Sequence, residues 1–327
     1  MKITRRIALA GLIGTSAILT GLSAHAEAAG KSVAVLLGPT QDAFIGTWLG
    51  TFEGAAEAAG MKIQVFSSPY DPALQARQLD DAVAQSFDAI VLQSISQNAL
   101  VPSLERTKEA GVPVFTVISQ PDAAAQGLYV TYIGENSRML GALAGEAMAD
   151  AAEARGLDAP KIAAVTGALA EGIGPKRLAG FEEALKARLP GAEMVAIEDV
   201  RWNPVDGEQA AGQLIARFSG QGGIDGFYGM NDRLANAVVQ AAGTTGVAVG
   251  ADGMIVVGGN CQAPGIPNLA SGAMTATVRM LPVVSAAKAA EVVGAYFNGE
   301  TLDAAYYEDH EIITQANLAD NAEACGY

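Results

Sequence analysis

From Lys31 onward the chain alternates short apolar runs with longer stretches whose apolar residues recur at helical spacing. Ser32 to Leu37 (SVAVLL) has no polar face, as a buried parallel strand requires, and Gly38-Pro39 ends it. Phe44 to Ala59 reads as a helix stopped at Gly60, and Lys62 to Phe66 as a second strand. Asp71-Pro72 opens a helix carrying Leu74, Leu79 and Val83, with Gln75 and Gln78 between them. Ala89 to Leu92 gives a third strand, Ala99 to Ala110 a third helix and Val112 to Val117 a fourth strand. Repeated β–α alternation with links this short means a doubly wound parallel sheet.

The alternation then starts again. Leu128–Ile133, Lys161–Val165, Glu193–Val200 and Gly226–Gly229 read as strands, with helices over Arg138–Ala152, Arg177–Arg188, Gly207–Phe218 and Arg233–Ala242. A loop over Gly246–Gly253 precedes two more strands, Ile255–Gly258 and Met274–Val278. A helix over Pro282–Asn298 and a last apolar run, Ile312-Ile313-Thr314, complete the pattern. Two similar α/β halves without a long linker predict two lobes flanking a cleft. Ligands in such sheets lie beyond the carboxyl ends of strands. Asn231-Asp232, after the run Ile224–Gly229, sits at such a point. Both residues also suit a helix cap; the expectation is that Asn231 touches ligand and Asp232 caps the helix.

Residues 1–26 read as a signal peptide. Lys2, Arg5 and Arg6 form a basic start, Ile7 to Leu22 an apolar run, and Ala24-His25-Ala26 a small-x-small cleavage site, with cleavage after Ala26. Thr4-Arg5-Arg6 leaves a twin-arginine route open, although Ala8 stands where that signal prefers a bulky apolar residue. Loss of three cations and no acid would take the formal charge from −15 to −18. That balance argues against nucleic acid and anionic membrane surfaces as partners. Cys261 and Cys325 are the two cysteines, and one disulfide is the simplest reading in an exported chain. One histidine, His310, would remain after cleavage, so no metal site and no cofactor is expected. Neither a serine elbow nor a phosphate loop is present, and the pairs Asp80-Asp81 and Glu182-Glu183 read as solvated helix faces, so an enzyme is not expected.

Several segments resemble sugar-binding proteins of the type I periplasmic class, the ribose and galactose group. They are FEGAAEAAG (52–60), DAIVLQS (88–94), AGVPVFTV (110–117), RLAGFEEAL (177–185), DGFYGMND (225–232), IVVGGN (255–260) and TATVRMLP (275–282). Their order and spacing run over nearly the whole chain after residue 26. The resemblance implies two doubly wound lobes joined by a three-strand hinge, with crossings near Ile133–Asn136, Met280–Pro282 and Asp309–Glu311. The N-terminal lobe would comprise residues 31–135 plus 281–309, and the C-terminal lobe residues 136–280 plus 310–327. A Cys261–Cys325 bridge would then tie down the tail inside one lobe. The implied function is a monomeric periplasmic receptor for a small sugar or polyol, delivering it to the membrane subunits of an ABC importer. Whether a chemoreceptor also reads the closed form stays open. The alternative is a receptor for another small molecule, a furanone-type signal or an amino acid, on the same fold. A repressor on this core would need a basic helix-turn-helix start instead of the leader.

The resemblance also implies site residues. Trp48 and Trp202, one per lobe, would sandwich a sugar ring, the competing reading being two core anchors. Asn231 matches a hydroxyl-binding position, and Asn260 aligns with an aspartate that does the same. Asp42, with Gln41 beside it, and Phe44 follow the first strand; Gln93 and Ser119 end the third and fourth. Departures matter too: Ile118-Ser119 replaces an Asp-Arg pair of ribose binders, Pro175 a ligand-binding arginine, and Met280 the hinge glutamine. Arg177 aligns with a different basic position. Arg279 either replaces a lost cation or lies on the surface. Ribose itself is therefore not the expected ligand.

Overall fold

The computed structural model describes residues 28–327; the leader and its cleavage site lie outside the described residues. The first sheet is parallel and runs β2-β1-β3-β4-β5-β11, built from β1 (Ser32–Leu37), β2 (Lys62–Ser67), β3 (Ala89–Leu92), β4 (Val114–Val117), β5 (Thr131–Gly134) and β11 (Ala305–Tyr307). The second runs β7-β6-β8-β9, also parallel, from β6 (Lys161–Thr166), β7 (Glu193–Asp199), β8 (Gly226–Gly229) and β9 (Ile255–Val257). An antiparallel ribbon of β10 (Thr277–Val278) and β12 (Ile312–Ile313) completes the strands. Helices α1 (Ala43–Ala58), α2 (Pro72–Ala84) and α3 (Val101–Glu109) accompany the first sheet. Helices α4 (Ser137–Ala154), α5 (Ile173–Arg188), α6 (Pro204–Phe218) and α7 (Asp232–Thr245) surround the second. Then come α8 (Gly265–Ser271), α9 (Pro282–Phe297), which packs on α1, and α10 (Leu318–Asn321).

The expected α/β architecture is present, and the differences are local. β11, α8 and α10 carry too few apolar residues to show a period in the sequence. β10 is two residues long rather than the expected five, because Ala276 only bridges β9 and Met274 lies outside any strand. Helix α5 begins a turn earlier than its apolar pattern, since Pro175 fits the first turn of a helix.

Strand order fixes where a ligand would lie. In the first sheet β2 and β3 flank β1, so the switch point falls between β1 and β3; in the second, β7 and β8 flank β6 and the switch falls between β6 and β8. Crevices open at the carboxyl ends of such strand pairs. The chain passes between the two halves at β5–α4, β10–α9 and β11–β12, and these passages are bonded to each other. Leu281 N donates to Glu308 Oε2 at 2.9 Å, Asn136 N to His310 Nε2 at 3.2 Å, and His310 Nδ1 lies 3.1 Å from Arg279 O. Burial raises the Glu308 carboxyl to about 8 and lowers His310. Cys261 and Cys325 form a disulfide, and the tail beyond it seats Tyr327, whose hydroxyl donates to Asn260 O and Met280 O at 3.0 Å each.

Candidate functional site

Loops from the two sheets meet around a cavity with about 410 Å³ of atom-free space, part of it open to solvent. The first sheet's switch point supplies Asp42 and Gln93. Asp42 is the N-cap of α1: its Oδ1 accepts from Phe44 N at 3.0 Å and Ile45 N at 3.3 Å, while Oδ2 pairs with the Arg233 guanidinium from α7 across the cleft. Gln93 Oε1 accepts from Gly38 N at 3.0 Å, and Nε2 donates to Glu171 Oε1 at 2.8 Å.

The second sheet's switch point supplies Glu171 and Asn231. Glu171 is 1% exposed and ends a 3-10 turn, Leu169–Glu171. Trp202 Nε1 donates to its Oε2 at 2.9 Å, and its backbone carbonyl accepts from Gln97 Nε2 at 2.5 Å and Ser119 Oγ at 2.6 Å. Burial pushes the Glu171 carboxyl up to about 7, against the pull of those N–H donors. Lys176 adds a further bond across the cleft, donating to Gln120 O at 2.5 Å and pairing with Asp122 at 2.9 Å.

Arg177 lines the cavity while 1% exposed. Its Nε and Nη2 donate to the Glu135 carboxylate, Nη1 donates to Met230 O at 2.7 Å, and Nη2 to Met280 Sδ at 3.2 Å. Helix α4 comes close enough to hold it there because Gly141 has no side chain: a Cβ would lie 1.9 Å from Arg177 O. A buried charge with its counter-ion and hydrogen bonds supplied is tolerable; stripped of one partner it is not.

Two acceptors in the wall remain unused. Asn260 Oδ1 and Gln262 Oε1 are buried and have no hydrogen-bond partner among the described residues. Buried polar groups are normally paired, so each such atom calls for a donor. Backbone strain gathers here as well. Tyr70, Ile118, Trp202 and Asn260 all have positive φ (53°, 64°, 65° and 80°) and all line the cavity. Non-glycine residues seldom adopt this region, and a branched one such as Ile118 least of all.

A model of the periplasmic binding protein domain matches residues 33–301. The chain belongs to the periplasmic binding protein family. An Escherichia coli ABC transporter periplasmic-binding protein is 30% identical over 204 residues, 61% of this chain and 60% of that one. The ribose import binding protein of Salmonella typhimurium is 22% identical over 307 residues, 93% of this chain and 97% of that protein. Among solved structures, a galactofuranose binding protein superposes with a TM-score of 0.82 at 18% identity, covering 91% of this chain and 100% of its own. A Bacillus halodurans solute binding protein with bound myo-inositol gives 0.80 at 18%, covering 91% and 99%. At such identities the structures speak for the fold alone: two parallel-sheet lobes joined by a three-strand hinge.

Within this periplasmic binding protein, the cavity gathers Asp42, Phe44, Gln93, Trp202, Asn231, Asn260 and Met280 from the residues picked out by sequence. It excludes two. Trp48 is fully buried and stacks on Phe52 with ring centroids 5.1 Å apart, so it belongs to the core and no tryptophan sandwich forms. Ser119 is fully buried and spends its hydroxyl on Glu171 O. The expected cap is also reversed. Asn231 is the N-cap of α7, its Oδ1 accepting from Leu234 N at 2.9 Å. Asp232 is instead buried behind the site, accepting from Thr277 Oγ1 at 2.6 Å and Gln262 N at 2.7 Å, with its carboxyl raised to about 7 by burial. Arg279 replaces no lost cation; it pairs with Glu311 at 2.9 Å, outside the cavity lining. No sequence pattern marks Glu171, Gln262 or Tyr70, because each sits in an irregular loop without a period. Arg177 had a signal in RLAGF, but its partner Glu135 had none.

Proposed function

We propose that this chain is a periplasmic solute-binding receptor that captures a small sugar or polyol between its lobes and hands it to the membrane subunits of an ABC importer. The observation that carries this reading is the pair of unused acceptors, Asn260 Oδ1 and Gln262 Oε1, in residues that line the same cavity as Trp202. A polyol offers many hydroxyl donors and one apolar face, which is the complement of that wall. Relatives and structural neighbours named for ribose, galactofuranose and myo-inositol support the same ligand class. In this reading Asp42, Phe44, Gln93, Trp202, Asn231, Asn260 and Met280 form the ligand wall. Asn231, with Oδ1 committed to the cap, contributes its amide N–H groups. Residues 31–135 with 281–309 move as one lobe against 136–280 with 310–327, and ligand stabilises the closed arrangement without any chemistry. The leader directs export to the periplasm.

A thermal-shift screen of sugars and polyols, with amino acids alongside, tests this. A ligand at about a hundred times its Kd stabilises by about 2.7 kcal/mol, which raises the melting temperature by several degrees. Shifts from sugars or polyols are expected. Shifts from amino acids alone would overturn the reading.

A further inference from the structure

Glu171 poses a charge problem that a neutral ligand leaves unsolved. Its carboxyl lies in the cavity wall, 1% exposed, and takes part in no ion pair among the described residues. Arg177, the cation that acts on it, is committed to Glu135, and the other two cations bonded across the cleft, Arg233 and Lys176, are committed to Asp42 and Asp122. Asp199 lies behind the same turn, accepting from Leu169 N at 3.3 Å, and Tyr70 faces the carboxyl with a neutral hydroxyl that burial keeps protonated. The formal charges of these ion pairs cancel, and Glu171 stands over as one unbalanced negative group in the wall.

Two neutral donors hold it from opposite sheets, Gln93 Nε2 on Oε1 and Trp202 Nε1 on Oε2. Each carboxylate oxygen keeps a second acceptor site. Asn260 Oδ1 and Gln262 Oε1 add two more acceptors in the same wall. A ligand completing it must be rich in donors, and a cationic one also removes the penalty of an uncompensated buried carboxylate.

We propose that the cavity takes an amino-substituted sugar or polyol, its ammonium group seated on the Glu171 carboxylate and its hydroxyls donating to Asn260 and Gln262. This rests on the sugar-receptor reading and narrows it. The Trp202 ring is anchored on Glu171 through its own N–H and carries the Arg177 guanidinium over it, Cζ 5.8 Å from the ring centroid. Binding is linked to protons. At neutral pH the free site holds Glu171 partly protonated, and an ammonium partner requires the ionised form. Binding therefore releases a proton, and affinity rises with pH through about 7.

Matched pairs that differ by one hydroxyl-to-amine exchange test this directly: D-glucose with D-glucosamine, D-galactose with D-galactosamine, and an inositol with its amino derivative. Calorimetry at pH 7 in two buffers of different ionisation heat gives affinity and proton release together. The amino member of at least one pair should bind at least about tenfold tighter, with net proton release, and Glu171→Gln should bring the two members within about twofold. Proton release by the wild-type chain needs no variant and stands if Glu171→Gln folds poorly. Tight binding of neutral members with no gain from the amine would keep the receptor reading and overturn the ammonium site. A preference for the amine that survives Glu171→Gln would overturn the role of Glu171. No binding by any member would overturn both.

Discussion

Trp48 and Trp202 both follow the carboxyl end of a strand, one in each half of the molecule, yet only Trp202 reaches the cavity. The difference lies in backbone geometry. Trp48 stands in the second turn of α1, where Phe44, Trp48, Phe52 and Ala56 recur every fourth residue and all are buried. Helical spacing puts such residues on one stripe, and the stripe faces the core. The core position leaves Trp48 Nε1 without a hydrogen-bond partner, a polar cost outweighed by the area the ring removes from water. Trp202 belongs to no helix. It follows Arg201 in a left-handed turn (φ 49° and 65°), which lays its ring on Gly167 and aims Nε1 at Glu171. One ring is directed by a period, the other by a turn.

The largest effect should separate the two by kind. Trp48→Ala opens a hole in the core and should cost about 3–5 kcal/mol of unfolding free energy in urea titrations. Trp202→Ala removes a partly buried loop ring and should cost roughly 1 kcal/mol, while ligand affinity falls at least about tenfold. Equal stability losses for the two variants, or an unchanged affinity for Trp202→Ala, would break the contrast.

The same distinction explains what could be read before any coordinates. Buried runs such as SVAVLL and AIVL give their strands to the residue, because a strand covered on both faces tolerates nothing polar. The stripe through Phe44, Trp48 and Phe52 was equally visible, and taken as a stripe it places Trp48 in the core. The site was half legible for a related reason. Asp42, Gln93, Asn231 and Asn260 sit in the loops that leave the carboxyl ends of strands, where topology alone puts ligand groups. Glu171, Gln262 and Tyr70 lie at similar distances past their strands, but in irregular loops whose paths depend on positive φ values and cross-sheet hydrogen bonds. The pairing of Glu135 with Arg177 spans 42 positions and depends on how closely α4 meets α5. No local pattern encodes it.

A finer test moves Trp202 without removing it. A Cβ on Gly167 would lie 1.9 Å from Trp202 Cε2 and 2.0 Å from Cζ2, so Gly167→Ala must push the ring aside. Gly167 carries no positive φ, so the added methyl brings no backbone penalty. Stability should change by under about 1 kcal/mol, and ligand affinity should fall about three- to tenfold, less than for Trp202→Ala. A loss of affinity as large as that of Trp202→Ala would mean that Gly167 itself approaches the ligand.

The smallest expected effect is a slope. Glu171 keeps its proton in the fold up to about 7 but loses it near 4.5 when unfolded, so its contribution to stability falls as pH rises between those values. Asp232, raised from 3.8 to about 7, and Glu308, raised from 4.5 to about 8, act in the same direction. His310 opposes them: its depressed pKa makes protonation unfavourable in the fold, so it withdraws stability as pH falls below 6.5. The ligand-free chain should therefore melt higher at pH 6 than at pH 8. Glu171→Gln should flatten that difference by about 2 °C, equivalent to about 1 kcal/mol in a chain of this length. Trp202→Phe keeps an aromatic ring, though a smaller one, but deletes the N–H that favours the ionised carboxyl, so it should steepen the fall. A substitution at Trp48, whose nitrogen touches no titrating group, should lower the melting temperature at every pH and leave the slope alone. If the slope follows Trp48 and ignores Trp202, the carboxyl beside the cavity is not the group that titrates.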